Sequence, residues 1–173
     1  MQNLFSYPVF FEDFSTSGKT YHITADTRQL ASIKDILKVQ DAKKVEADIT
    51  LKLNKKEHTL EAKGRVQATL ELQSVISLEN FCKDYDIRFL MPFDTKMTAK
   101  EQDRLAAEGE DVPDILQDGG VDLGDIIIEQ IALNIEDYPR KDGEVFEYRC
   151  KLESDSGEKE VAPNPFEVLK KLK

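Results

Sequence analysis

Residues 119–141 read GGVDLGDIIIEQIALNIEDYPRK and form the longest apolar, periodic segment of the chain. Asp122 stands at a helix N-cap position, where its carboxylate can accept hydrogen bonds from the first free backbone amides. Leu123, Ile126, Ile127 and Ile131 form an apolar stripe at helical spacing that Asn134 continues, while Ile128, Leu133 and Ile135 fall on other faces. This pattern predicts a helix over about 122–135 that is buried on more than one side and ends before Pro139.

A helix this apolar must pack against a larger element, and the residues before it supply a sheet. Strands are predicted at 4–11, at 19–25, at 45–53, around the alternating Val66, Ala68, Leu70 and Leu72, and around Tyr85, Ile87, Phe89 and Met91 before Pro92. Asp26 and Gln29 resemble a capping box, and the apolar stripe after them predicts a second helix over about 27–38. Pro8 suits a sheet edge, and Gly64 suits a bend or a bulge.

The polar face of each alternating run is typical of an antiparallel sheet that buries one side only. The sequence therefore predicts an α+β fold, an antiparallel β-meander of about five to seven strands packed by two main helices. Between the meander and the core helix, residues 96–109 have the composition of a short surface helix. The acidic, proline-containing stretch after them leads us to expect a mobile loop over about 100–120.

The end of the chain carries three further predictions. Residues 144–152 alternate again and predict a last strand. An acidic linker over 153–164 has the composition of a disordered segment. A short C-terminal helix over 165–173 would present Phe166, Leu169 and Leu172 on one face. The whole chain, 1–173, is read as a single domain.

The net charge of −10 is unevenly distributed. Residues 1–100 hold 15 Lys or Arg and 14 Asp or Glu, whereas residues 101–173 hold 9 and 20. An acidic total argues against a protein that coats nucleic acid, because affinity for phosphates is largely electrostatic. A local basic face on the first half stays compatible with this composition.

Cellular location is predicted from what the sequence lacks. No stretch reaches the roughly 18 to 20 consecutive apolar residues of a membrane span. The N-terminus, MQNLFSYPVFFEDF, has neither a basic leader nor a small-residue cleavage site. We therefore expect a cytoplasmic protein without membrane contact, in which Cys82 and Cys150 are reduced thiols.

Catalytic and metal-binding patterns are weak in this sequence. His22 and His58 are the only histidines, and neither has a cysteine or aspartate at metal-ligand spacing. Gly18-Lys19-Thr20 resembles the end of a phosphate-binding loop, but Asp13 stands where that motif needs its first glycine. The acidic residues of 101–125 lack the spacing of a calcium loop. We therefore expect no enzyme activity, no cofactor, no metal and no small-molecule substrate.

The core helix and the tail resemble the YceD family of large ribosomal RNA subunit accumulation proteins. The resembling positions are Gly120, Val121, Asp122, Leu123, Glu129, Gln130, Leu133 and Pro139, then Pro163, Asn164, Pro165, Phe166 and Leu169. The YPRK ending, with Arg140 and Lys141, is similar to the alphaproteobacterial branch in particular. Upstream, LQSVISLENF (72–81) resembles a segment of the same branch. Family members often carry a cysteine in that segment, where this chain has Ser74, so a metal or redox role of that cysteine is not expected here.

The resemblance implies a non-catalytic cytoplasmic factor that supports the accumulation of large-subunit ribosomal RNA, in synthesis, processing or stability, during ribosome assembly. Its partner would be a ribosomal RNA precursor or a ribosome-assembly or ribosomal protein. The RNA contact would use basic residues of the sheet, namely Lys52, Lys55, Lys56, Lys63 and Arg65. The alternative is a protein-binding adaptor whose acidic half holds a basic ribosomal protein or an RNA-processing enzyme. A magnesium-dependent nuclease built on the acidic cluster is a third, weaker hypothesis.

Overall fold

The computed structural model describes residues 4–109, 112–116 and 119–145. The strands of this part are β1 Pro8–Phe10, β2 Lys19–Thr24, β3 Asp41–Asn54, β4 Thr59–Gln73, β5 Asn80–Asp94, β6 Asp114–Ile115 and β7 Gly120–Asp122. The helices are α1 Thr27–Leu37, α2 Ala99–Ala107 and α3 Leu123–Asn134, and a short 3-10 turn covers Phe11–Asp13. The predicted α+β class is confirmed.

Helix α3 is the core helix that the sequence predicts. The side chains of Leu123, Ile126, Ile127 and Ile131 are buried, and so are Ile128 and Gln130 on neighbouring faces. The helix packs on β4 and β5 and touches α1. The last buried side chain of α3 is Ile131, about one turn before the helix ends at Asn134. Leu133 is 71% exposed. Asn134, expected on the stripe, is also exposed, and its amide donates to the carbonyl of Gln130.

The main sheet has five strands in the order β2-β3-β4-β5-β6. Strands β2 to β5 form the predicted antiparallel meander, with unbroken pairing of β4 and β5 from Thr59↔Asp94 to Gln73↔Asn80. Alternate residues of β3 and β4 are buried, so one face packs on the helices and the other meets solvent. The short β6 runs parallel to β5, which corrects the expectation of a purely antiparallel sheet.

The N-terminal segment does not join the meander. The predicted strand over 4–11 is reduced to β1, which pairs with β7 in a separate two-stranded sheet. Phe5 is fully buried, and its ring lies edge-on against Tyr7 at 5.3 Å between centroids. The Tyr7 hydroxyl donates to Gln29 of α1. The segment therefore packs into the core and contacts both α1 and the start of α3. Strand periodicity does not predict this role.

Helices α1 and α2 both begin at capping boxes. In α1, Asp26 accepts from the backbone amides of Arg28 and Gln29, as predicted. In α2, Thr98 and Glu101 form the reciprocal pair, and no side chain of the helix is buried. Because α2 and β6 lie within about 100–120, that range is not one continuous loop.

Gly64 corrects another expectation, because pairing continues through it without a bulge. It faces the core side of β4, where a Cβ atom would lie 2.7 Å from the ring of Phe89 and 2.9 Å from the carbonyl oxygen of Asp48. The glycine makes room for the aromatic ring. Strand β5 also continues through Pro92, which is tolerated because most of β5 lies at a sheet edge.

Three predictions fall largely on residues outside the described part of the chain. The strand over 144–152 is one, although Glu144 and Val145 themselves lie outside any strand. The linker over 153–164 and the C-terminal helix over 165–173 are the others.

Candidate functional site

Asp122 joins the core helix to the N-terminal segment. Its Oδ1 atom accepts from the amide of Gly124 at 2.8 Å and from that of Asp125 at 3.4 Å, which caps α3. The same oxygen accepts from the amide of Tyr7 at 2.8 Å, and Oδ2 accepts from the hydroxyl of Ser6. One carboxylate therefore satisfies free amides at the helix start and also holds a segment more than a hundred residues away.

Two glycines beside Asp122 permit this arrangement. A Cβ atom at Gly120 would lie 2.6 Å from the carbonyl oxygen of Val9, so only glycine lets β7 approach β1 this closely. A Cβ atom at Gly124 would lie 2.1 Å from the carbonyl oxygen of Phe5. Both obstacles are backbone atoms, which cannot swing aside as a flexible side chain can.

The remaining motif residues of α3 divide into buried and exposed. Leu123 is fully buried, and Gln130 is buried with its amide directed at the sulfur of Met91 at 3.3 Å. Glu129 and Leu133 are exposed. The buried residues stabilise the fold, whereas the exposed ones are available for contact.

The YPRK ending docks on the turn between β4 and β5. The carbonyl of Pro139 accepts from the amide of Val75 at 2.9 Å, and the ammonium of Lys141 forms an ion pair with Glu79. Arg140 is exposed. The YPRK motif and the 72–81 segment, which resembled the family separately, are thus one structural unit.

Glu144 closes this unit. Its two carboxylate oxygens accept from the hydroxyls of Ser74 and Ser77, and the amide of Lys141 donates to it at 3.1 Å. Ser74 is fully buried and also accepts from the amides of Ile76 and Ser77. Hydrogen bonds from Ser74 and then Ser77 hold the pKa of Glu144 below its usual range. We call Ser74, Ser77 and Glu144 the serine clamp.

The outer face of the sheet is charge-balanced rather than basic. Lys52, Lys63 and Arg65 point outward, as the alternation predicts. Arg65 forms a two-pronged ion pair with Asp86, with both nitrogen–oxygen distances at 2.6 Å, and this pairing holds the pKa of Asp86 below its usual range. Lys52 lies opposite Glu61 across the strands. The guanidinium of Arg65 is thus already bound to a carboxylate.

The other predicted RNA contacts gather at one end of the sheet. Lys55 and Lys56 occupy the β3–β4 turn, and both are exposed. Lys52 and Lys63 lie on the adjoining ends of β3 and β4, with Lys63 opposite Thr50. We call Lys52, Lys55, Lys56 and Lys63 the lysine end. None of the four forms an ion pair with another described residue.

The histidines and the described cysteine have ordinary surroundings. His22 is exposed, and its Nδ1 lies 2.5 Å from Asp48 on the next strand. His58 is in the β3–β4 turn with a positive φ of 53°. Cys82 is an exposed free thiol. Across residues 4–109, 112–116 and 119–145, no three histidine, cysteine, aspartate or glutamate side chains come together as metal ligands.

A groove of about 390 Å³ opens between β7, the far end of β5 and α3. Its floor consists of apolar side chains, namely Val9, Met91, Phe93, Val121 and Ile126. Its acidic side chains include Asp114, Asp125 and Glu129. We call this feature the acidic groove. Phe10, which is 52% exposed, stands at its edge.

The model of the family described as "Large ribosomal RNA subunit accumulation protein YceD" matches residues 62–173. The chain belongs to the YceD family. No curated protein and no solved structure gives a significant match. The YceD match begins within β4 and therefore includes the serine clamp, the acidic groove's α3 side and the YPRK ending. No helix in the described part of this YceD member is long and apolar enough to cross a membrane.

Several residues that build the site were not singled out by the sequence. Gly124 lies in the motif, but only the nearness of Phe5 shows why it must be glycine. Ser6 and Tyr7 reach Asp122 from the far end of the chain. Glu144 reaches Ser74 across seventy positions. The motif residues Pro165 and Phe166 lie outside the described part of the chain.

Proposed function

We propose that this protein is a non-catalytic factor that supports the accumulation of large-subunit ribosomal RNA, in its synthesis, processing or stability, and so supports ribosome assembly in the cytoplasm. The observation that carries the proposal is the YceD family match over residues 62–173. Cells that lack the protein should contain less large-subunit ribosomal RNA, which blotting with a subunit-specific probe measures.

A binding role is supported by what the polar side chains of the site already do. Asp122 caps a helix, Ser74 is buried in a turn, and His22 is paired with Asp48 on an exposed sheet face. Each of these residues has a structural partner that accounts for its position. The proposal of a non-enzymatic factor accordingly rests on binding surfaces, of which the lysine end and the acidic groove are the clearest.

Direct RNA contact is the first way in which the factor would act. The lysine end offers four ammonium groups at one end of the sheet, and lysines of this kind bind phosphates with little sequence preference. Arg65 would contribute less, because an RNA phosphate would have to displace Asp86 from a two-pronged pair. We therefore place the RNA contact at the turn rather than over the whole sheet.

The adaptor role is the second candidate, and the acidic half of the chain favours it. Glu108 and Asp114 are exposed carboxylates on either side of a short acidic stretch. Glu110 and Asp111 complete the stretch in sequence and lie outside the described residues. Such a surface would attract a basic ribosomal protein or an RNA-processing enzyme.

Charge reversal separates the two modes of binding. Lys52, Lys55 and Lys56→Glu should weaken binding of a labelled large-subunit precursor RNA by about tenfold or more at physiological ionic strength. Fluorescence anisotropy measures this. A matched triple reversal in and directly after α1, with Arg28, Lys34 and Lys38→Glu, should change RNA affinity much less.

Equal losses in the two triple variants would exclude the lysine end as the RNA contact. In the adaptor case, RNA affinity is negligible in every variant, and neutralising Glu108, Glu110, Asp111 and Asp114 removes the protein partner instead. Metal-dependent cleavage of the RNA, abolished by the same neutralisation, would contradict the non-enzymatic proposal.

A further inference from the structure

The acidic groove combines an apolar floor with the exposed carboxylates of Asp114 and Glu129. Val9, Phe93, Val121 and Ile126 are buried side chains whose outer surfaces line it. Asp114 and Glu129 are exposed. Among the residues that the structure describes, no lysine or arginine pairs with either of these two carboxylates.

The groove also presents backbone groups. Each of β6 and β7 has one strand neighbour within the described sheets, and both strands line the groove. Flanking bonds run from the Leu123 amide to the Tyr7 carbonyl and from the Phe11 amide to the Gly119 carbonyl. Because hydrogen-bonded pairs alternate in an antiparallel ladder, Gly120 directs its N–H and C=O away from β1. An extended chain beside β7 could therefore form main-chain hydrogen bonds.

We propose that the acidic groove binds an extended, basic segment of a partner protein in which aliphatic residues alternate with lysine or arginine. Successive side chains of an extended segment point to opposite faces, so the aliphatic ones fill the apolar floor. The basic ones point away from the floor, and their long side chains reach the exposed carboxylates of Asp114 and Glu129 at the mouth of the groove. This inference deepens the adaptor role and rests on it, by assigning that role a site and its partner a chemistry.

Charge decides the class of partner. The exposed carboxylates of Asp114 and Glu129 repel the phosphates of an RNA and the headgroups of an anionic membrane, whereas they attract a cationic peptide. The apolar floor adds selectivity, because a purely hydrophilic cationic segment gains nothing from it. A protein extension that is basic and partly aliphatic satisfies both conditions.

The test uses the full chain and a fluorescein-labelled peptide, Lys-Val-Arg-Ile-Lys-Val-Arg, titrated by fluorescence polarisation. The peptide should bind, and Asp114→Lys with Glu129→Lys should raise its dissociation constant by about tenfold or more. A matched double reversal outside the groove, Asp35→Lys with Asp103→Lys, should change the constant by less than about threefold. A peptide with serine in place of valine and isoleucine should bind at least about tenfold more weakly.

Three results would overturn the proposal. Equal weakening by the two double variants would mean that the peptide senses only the net charge. Equal binding of the serine peptide would show that the apolar floor is not used. Binding that occurs only after Phe166→Ser would mean that the chain's own C-terminal segment occupies the groove. Peptide binding is measured on the purified chain, so these outcomes do not test the role in ribosomal RNA accumulation. A normal content of large-subunit ribosomal RNA in cells lacking the protein would contradict that role without changing the peptide result.

Discussion

Replacing Asp122 with alanine tests how far one side chain holds the core helix to the rest of the fold. The variant removes the N-cap of α3, which costs about 1 kcal/mol in typical proteins. It also removes the bonds from the Tyr7 amide and the Ser6 hydroxyl to a charged acceptor. Bonds of this kind contribute about 1.5–3 kcal/mol when shielded, and less where Ser6 is exposed. We therefore expect a total loss of about 2–4 kcal/mol in the free energy of unfolding.

The assay is urea unfolding at neutral pH followed by circular dichroism, with thermal unfolding as a second measure. A loss of this size is a large part of the roughly 5–15 kcal/mol that holds a typical domain together. It should lower Tm by about 4–16 °C, since each kcal/mol shifts Tm by about 2–4 °C at this chain length.

Asp122→Asn is the matched control. Three of the four bonds use Oδ1, and an asparagine oxygen can replace it in each. Asparagine is also as good an N-cap as aspartate. The control should therefore lose less than about 1 kcal/mol. The reasoning is refuted if the alanine variant is as stable as the wild type, or if asparagine destabilises as much as alanine.

Three further predictions concern other parts of the fold. Gly124→Ala should lower the free energy of urea unfolding by more than about 2 kcal/mol, although alanine favours helix, because its Cβ meets the Phe5 carbonyl; unchanged stability would contradict this close approach. Glu144→Gln should make the free energy of unfolding depend less on pH in acid. The pKa of Glu144 is lowered in the folded state, so its carboxylate stabilises the fold fully above the ordinary glutamate pKa. That stabilisation disappears as pH falls through the folded pKa. Unfolding midpoints measured across the acid range check this, and a parallel pH profile would refute it. Burial and the nearby Glu136 raise the pKa of Tyr85 to about 12. One phenol should therefore ionise late in an ultraviolet titration, and the free energy of unfolding should fall as pH rises above the ordinary tyrosine pKa. Tyr85→Phe should remove the late ionisation step.

Local patterns predicted the elements of this fold well. The cap at Asp122, the capping box at Asp26 and the alternation of β3 depend on residues a few positions apart, and all are found in the structure. The order of β3 to β5 follows because short turns join consecutive antiparallel strands. The family resemblance of the core helix is likewise confirmed by the match over residues 62–173.

What the sequence did not predict depends on contacts between distant positions. No periodicity shows that Ser6 binds Asp122 or that Ser74 binds Glu144. The division into two sheets follows from the pairing of β1 with β7, which lie more than a hundred residues apart. The prediction of a bend or bulge at Gly64 was wrong for the same reason, because the ring that requires glycine there belongs to Phe89 on another strand. The ion pair of Arg65 with Asp86 on the neighbouring strand likewise does not follow from the number of charges along the chain.

A sucrose-gradient profile of cells lacking this protein, probed for large-subunit ribosomal RNA and its precursors, tests the central claim most directly. We predict a selective loss of the large subunit with the small subunit spared, restored when the wild-type chain is expressed again. A normal profile under the same growth conditions would contradict it. The chain would then share the YceD fold without the role in ribosomal RNA accumulation that the family name describes.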